Sequence, residues 1–193
     1  GAGHPDPGYT VRSALTMMLA RESMRLCAAF LERAYLNGDD LDARIGMAYA
    51  SIYAGLSYGS AGLHAVHGIA YAVAGQTHKS HGSTNAVMLP YVLDALCDER
   101  PAELLEVARM FGLDPLAGQP AIRRVSVVIR ALIGRLGVPT DLRSFGIQHH
   151  ALDALVADAL GVSRLAKAFP VADVPLAYGR IVRAAYDGVL SGA

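Results

Sequence analysis

From Ile45 to Gln76 the chain carries no Asp, Glu, Lys or Arg. A stretch of that length is drawn out of water, and it exceeds the roughly 18 apolar residues at which a membrane span becomes the first question. Its composition argues against a span. Ala, Gly, Ser and Tyr dominate rather than Leu, Ile and Phe, His64 and His67 lie inside it, and Gly59-Ser60-Ala61-Gly62 interrupts it. The expectation is two buried helices at the centre of a soluble bundle, with small residues letting backbones approach closely, and no contact with a membrane.

The rest of the chain keeps the helical period. Between Val11 and Leu36 the apolar positions Leu15, Met18, Leu19, Leu26, Ala29, Phe30 and Ala34 recur at helical spacing, and Asn37-Gly38 ends the run. Leu41 to Leu56 follows. Pro101 opens another helix as a first-turn proline, with Leu104, Leu105, Val107, Ala108 and Phe111 inward and Gly112 as the stop. Pro120 to Leu136 places Ile122, Val125, Val128, Ile129, Leu132 and Ile133 inward, and Arg123, Arg124, Arg130 and Arg135 on an expected solvated face. Leu142 to Leu160 is predicted as one amphipathic helix carrying His149-His150; a short turn near Val162 to Leu165 and a last helix from Leu176 to Leu190 complete the set. No segment alternates over strand length, and neither a repeat nor a low-complexity linker divides the chain. The sequence therefore predicts an all-α, multi-helix fold of seven to ten helices in a single domain over residues 1–193.

Composition narrows the function. With 193 residues the chain can bury a sizeable core without staples. Lys plus Arg and Asp plus Glu both number 17, and no basic segment is interleaved with aromatics, so nucleic acid is not an expected partner. Cys27 and Cys97 are too few for a disulfide framework and read as buried, reduced thiols. No charged segment leads into a short apolar run with a cleavage site, which makes the cytoplasm the expected compartment.

Four of the seven histidines, His64, His67, His78 and His81, fall close together in this weakly charged region. Neutral imidazole is the commonest protein ligand for transition metals and is costly to bury without a partner, so a metal site is the leading hypothesis. On one unbroken helix His67 and His81 would stand roughly 21 Å apart, at 1.5 Å rise per residue. Two nitrogens at about 2.0–2.1 Å from one ion require the chain to fold back between them. The polar connection Gly75-Gln76-Thr77-His78-Lys79-Ser80 is where it can turn. A helix through Ala74 and a second beginning near His81-Gly82 and running past Pro90 would then bring His67 and His81 together.

Val66-His67-Gly68-Ile69-Ala70, followed by His81-Gly82, Asn85-Ala86 and Met88-Leu89-Pro90-Tyr91-Val92, resembles the C-terminal half of the iron-dependent (group III) alcohol dehydrogenases, of the dehydroquinate synthase-like superfamily. There a V-H-A/G-x-A-H-P-x-G-G segment leads to P-H-G-x-x-N-A-x-L-L-P-x-V. The resemblance covers nearly the whole chain. It implies an α-helical C-terminal domain, with His67 and His81 as metal ligands. It also marks what lies outside the chain: the family's other two ligands, an Asp and a His four residues apart in a D-A-L-T-H-like segment, and the N-terminal α/β dinucleotide domain. The chain is accordingly expected to be a fragment of a two-domain protein. Tyr71 and Ala72 stand where the family has His-Pro, Ser80 replaces a proline as a favoured helix cap, and His64 and His78 are additions at positions the family does not use for metal. Asn85 is expected to brace the second ligand helix.

The resemblance implies that the intact protein interconverts small alcohols with aldehydes or ketones, using NAD(P) and a divalent metal, iron or sometimes zinc, and that it forms a homo-oligomer. The isolated chain, holding two imidazoles without the other ligands, is expected to be inactive and to hold metal weakly or not at all; its catalytic residues are not assigned. Two alternatives are a metal-free relative like the maleylacetate reductases, and a non-catalytic helical binding or oligomerisation module.

Overall fold

The computed structural model describes residues 12–114, 116 and 118–192. Ten α-helices and a 3-10 turn are found among them, and no strand. His4 lies outside the described residues. Two compact units make up the chain, one up to Leu63 and the other from His64 onward.

The first unit is a helical hairpin, α1 (Ala14–Leu36) and α2 (Leu41–Ala61). Ser13 caps α1 through a capping box with Thr16, and Asp40 caps α2 by accepting from the Ala43 N–H at 3.0 Å. Small residues decide how closely the helices approach. Ala43, Gly46, Ala50 and Ser57 form the buried stripe of α2, and a methyl group at Gly46 would lie 2.3 Å from the Phe30 ring. Two buried hydroxyls tie the pair: Ser23 donates to the Ala50 carbonyl at 2.7 Å and Ser57 to that of Thr16 at 2.9 Å.

The uncharged run divides as expected into two helices, but their burial differs from the expectation. α2 continues through Gly59 and Ser60 to Ala61 and stops at Gly62, whose φ of 80° is the left-handed region glycine tolerates. Only its narrow stripe is buried; Ile45, Tyr49, Ile52 and Leu56 are exposed. Lack of charge is a weak guide here, because Ala, Gly, Ser and Tyr sit on either side of a helix at little cost. No helix among the described residues is long and apolar enough to cross a membrane.

The second unit is built around α3 (Ala65–Thr77), where Ala65, Ile69, Ala70 and Val73 have no exposed surface. Packed on it are α4 (His81–Ala95), α8 (Leu152–Gly161) and α9 (Ser163–Lys167). Helices α5 (Pro101–Met110) and α6 (Gln119–Arg135) extend the layer beyond α4, and α7 (Leu142–Phe145) and α10 (Val174–Asp187) close the other side.

Two expectations are corrected. Leu142 to Leu160 is not one helix: α7 is a single turn capped by Asp141 and stopped by Gly146 at φ 110°, and His149 and His150 stand exposed in the 3-10 turn before α8. The arginines of α6 are not simply a solvated face. Arg123 reaches Asp98 at 2.9 Å and Ser191 at 3.0 Å, while Arg130 donates to the Gly188 carbonyl at 2.6 Å. These contacts tie the C-terminal turn down after α10.

Candidate metal centre

The turn between α3 and α4 brings the two histidines together. Thr77 Oγ1 donates to the Val73 carbonyl at 2.8 Å, and His78 takes a left-handed conformation at φ 54°, an unfavourable one for a residue other than glycine. Lys79 Nζ then lies 4.2 Å from the centroid of the buried Phe145 ring. Ser80 caps α4 by accepting from the Ser83 N–H at 3.3 Å. Each contact fixes one step of a three-residue reversal.

Across that reversal the His67 and His81 rings face each other with centroids 5.2 Å apart and planes at 43°. The predicted encounter of the two helices is formed. His67 is held neutral, its pKa pushed down first by burial and then by the neighbouring His81. Its Nδ1 is buried and has no hydrogen-bond partner among the described residues, the kind of orphan a ligand or water satisfies.

His81 is embraced by two neighbours. The Tyr71 ring stacks on it with centroids 5.3 Å apart and planes at 18°. Asn85 Nδ2 donates to the His81 carbonyl at 2.8 Å, which fixes the orientation of the amide and leaves its buried Oδ1 without a partner. The same nitrogen is 3.2 Å from Nδ1 and 3.1 Å from Nε2 of the ring. An atom equidistant from both cannot lie in the ring plane without colliding with the carbon between them, so the amide rests against the face of the imidazole. Asn85 thus braces His81 as well as the helix.

The other two histidines do not join. His64 precedes the first turn of α3, packs on Phe169 with ring centroids 5.7 Å apart, and is kept neutral by burial with lesser effects from His67 and Arg100. His78 is spent on the left-handed turn. Among the described residues no group of three or more His, Cys, Asp or Glu side chains is arranged to hold a metal ion. His67 and His81 therefore fit a metal as two imidazole nitrogen donors and no more, short of the three protein ligands common in catalytic zinc sites.

Three residues around the site escaped the sequence reading. Tyr178 of α10, fully buried, brings its hydroxyl to 3.2 Å from where a Gly68 Cβ would stand, beside His67. Burial pushes its pKa up to about 12, and the hydroxyl has no partner among the described residues. Phe145 and Phe169 are the others; all three lie far from the histidines in sequence, and no local period points to them.

Known proteins share the fold and much of the sequence. A family model described as the Fe-containing alcohol dehydrogenase family, C-terminal, matches residues 9–173. Long-chain-alcohol dehydrogenase 1 of Geobacillus thermodenitrificans is 35% identical over 176 residues, which are 90% of this chain and 44% of that protein. The NAD-dependent methanol dehydrogenase of Bacillus methanolicus is 28% identical over 160 residues, 81% of this chain and 42% of its own. The structure of an alcohol dehydrogenase from Oenococcus oeni superimposes with a TM-score of 0.85 at 25% identity, covering 94% of this chain and 48% of that one. The chain spans less than half the length of these proteins.

Proposed function

The chain belongs to the iron-containing alcohol dehydrogenase family, as a C-terminal part, and on that footing we propose that it is the helical, metal- and substrate-side domain of a longer two-domain, NAD(P)-linked alcohol dehydrogenase. His67 and His81 contribute two of the metal's ligands. The remaining ligands and the nucleotide site belong to sequence outside this chain, so the chain by itself is inactive. The observation that carries this reading is the facing pair of imidazoles, one of them neutral with an unpartnered buried nitrogen, on two helices joined by a tightly held turn.

A divalent metal, iron or zinc, held in part by His67 and His81, would supply Lewis acidity toward the oxygen of an alcohol or carbonyl. The protein's own share is positional. Burial keeps the His67 lone pair free of a proton, the Asn85 amide and Tyr71 ring hold His81, and the turn anchored by Lys79 and Ser80 fixes the span between the two rings. Small alcohols and aldehydes are the substrate class, and the nicotinamide cofactor is supported by the NAD-dependent methanol dehydrogenase among the relatives.

The test is alcohol-dependent reduction of NAD(P) by the full-length protein, with His67→Ala and His81→Ala. Each substitution should abolish turnover. A full-length protein that keeps its activity in both variants would belong with metal-free relatives.

A further inference from the structure

We propose that Tyr71 is the positioning residue of the two-histidine site, holding the His81 imidazole by ring stacking so that it faces His67. The inference rests on the metal reading above for what the facing pair is used for, but the geometry stands by itself. Tyr71 lies four residues after His67 on α3, one turn further along the same face. Its ring lies nearly parallel to that of His81, with planes at 18° and centroids 5.3 Å apart, inside the range where aromatic pairs attract. His81 needs such a support. It opens α4 as the first helical residue, is exposed, and among the described residues its ring has only the Asn85 amide as a hydrogen-bonding neighbour. That amide rests against the face of the ring and does not fix its rotation through a lone pair. A side chain at the first turn of a helix with one flat contact is free to swing outward; a second flat contact, from a ring anchored on the opposing helix, removes that freedom.

Tyr71 itself is 46% exposed, more than a core tyrosine would be, and the buried residues of α3 lie on its other face. Its burial therefore contributes little to the core, while its stacking acts on one neighbour. The work is done by the ring and not by the hydroxyl, which separates positioning from proton transfer.

The experiment uses the isotope-labelled full-length protein that contains this chain, with Tyr71→Phe, Tyr71→Leu and His81→Ala variants, read by nuclear Overhauser contacts between the histidine rings and by titration of the metal-stripped protein with Zn²⁺. In the unsubstituted chain and in Tyr71→Phe, the His81 ring should show contacts to residue 71 and to His67. Tyr71→Leu should lose the His67–His81 contact and weaken Zn²⁺ binding by about two- to tenfold, the worth of one aromatic pair. Helix content measured alongside shows whether any variant has unfolded, and rescue by Phe excludes a general packing defect. A Tyr71→Leu chain that keeps the ring contact would overturn the proposal, and so would loss of the contact in Tyr71→Phe. Zn²⁺ affinity unchanged by His81→Ala, or absent in the unsubstituted full-length protein, would count against the metal reading alone and leave the ring contacts to decide on Tyr71.

Discussion

Replacing Gly46 with alanine sets two effects of known size against each other. In an open helical position, glycine to alanine stabilises by about 0.5–1 kcal/mol, because alanine loses less backbone entropy on folding. At Gly46 the new methyl would stand 2.3 Å from Phe30 Cδ2 and 2.7 Å from its Cγ. The Cγ contact means that the ring cannot escape by moving its tip alone, and Arg33 lies over the same ring at 5.2 Å. Overpacking of this kind costs about 1–3 kcal/mol, and a clash at the root of the ring belongs in the upper half. The net expectation for Gly46→Ala is a loss of about 1–2 kcal/mol, from the overpacking cost less the helix gain. Gly55, on the same helix with nothing within 4 Å of its would-be methyl, isolates the helix term. Gly55→Ala should gain about 0.5–1 kcal/mol. Urea unfolding followed by circular dichroism gives both values from the shift in midpoint at constant slope. Adding Phe30→Leu to Gly46→Ala should recover about 1 kcal/mol or more as a non-additive coupling. A Gly46→Ala midpoint raised as far as that of Gly55→Ala would refute the close approach of α1 and α2.

Two further outcomes follow from buried groups. Tyr178→Phe removes a buried hydroxyl without a partner and should leave stability unchanged or raise it by about 1 kcal/mol, whereas Tyr91→Phe, which deletes a donor to the Thr140 carbonyl, should lower it by about 1 kcal/mol; thermal unfolding of the two variants checks the opposite signs. Burial raises the Cys97 thiol from 9.0 to about 11, so the folded chain keeps this proton longer than the unfolded one. The contribution is whole below pH 9 and is lost as the pH rises through about 11, so between pH 9 and 11 the unsubstituted chain should lose more of its pH 7 stability in urea unfolding than a Cys97→Ala variant, which lacks the linkage. Reaction of Cys97 with a thiol reagent at pH 8 should accordingly wait for unfolding, and prompt labelling would contradict its burial.

How far the sequence led depends on the range of the interaction involved. Helix ends written in local chemistry were legible: Asn37-Gly38 after α1, the first-turn Pro101 of α5, the Ser80 cap of α4. The break within Leu142 to Leu160 was not, because a one-turn helix ending in a left-handed Gly146 preserves enough apolar spacing to pass for a continuous face. The exposed side of α2 was hidden by an absence of charge that says nothing about which side is covered. At the site, the step from His67 to His81 with a turn between them was enough to bring the pair together, and the four-residue steps to Tyr71 and Asn85 put those residues within reach. Tyr178, Phe145 and Phe169 arrive from the last third of the chain through packing, which leaves no mark on local periodicity. Arg123 and Arg130 looked like a solvated face for the same reason, since their partners Asp98 and Gly188 belong to distant turns.

The central claim is that His67 and His81 are half of a metal site completed from outside this chain. Metal content, measured by elemental analysis after exposure to iron or zinc and dialysis, tests it most directly on the 193-residue chain, the full-length protein, and full-length His67→Ala and His81→Ala. The account predicts one ion per full-length protein, loss of that ion in either variant, and little or none on the chain alone, because two uncharged imidazoles lack the carboxylate that helps neutralise a divalent ion. Tight stoichiometric binding by the isolated chain that is lost on His64→Ala or His78→Ala would contradict it, and so would a full-length protein whose metal survives both His67→Ala and His81→Ala.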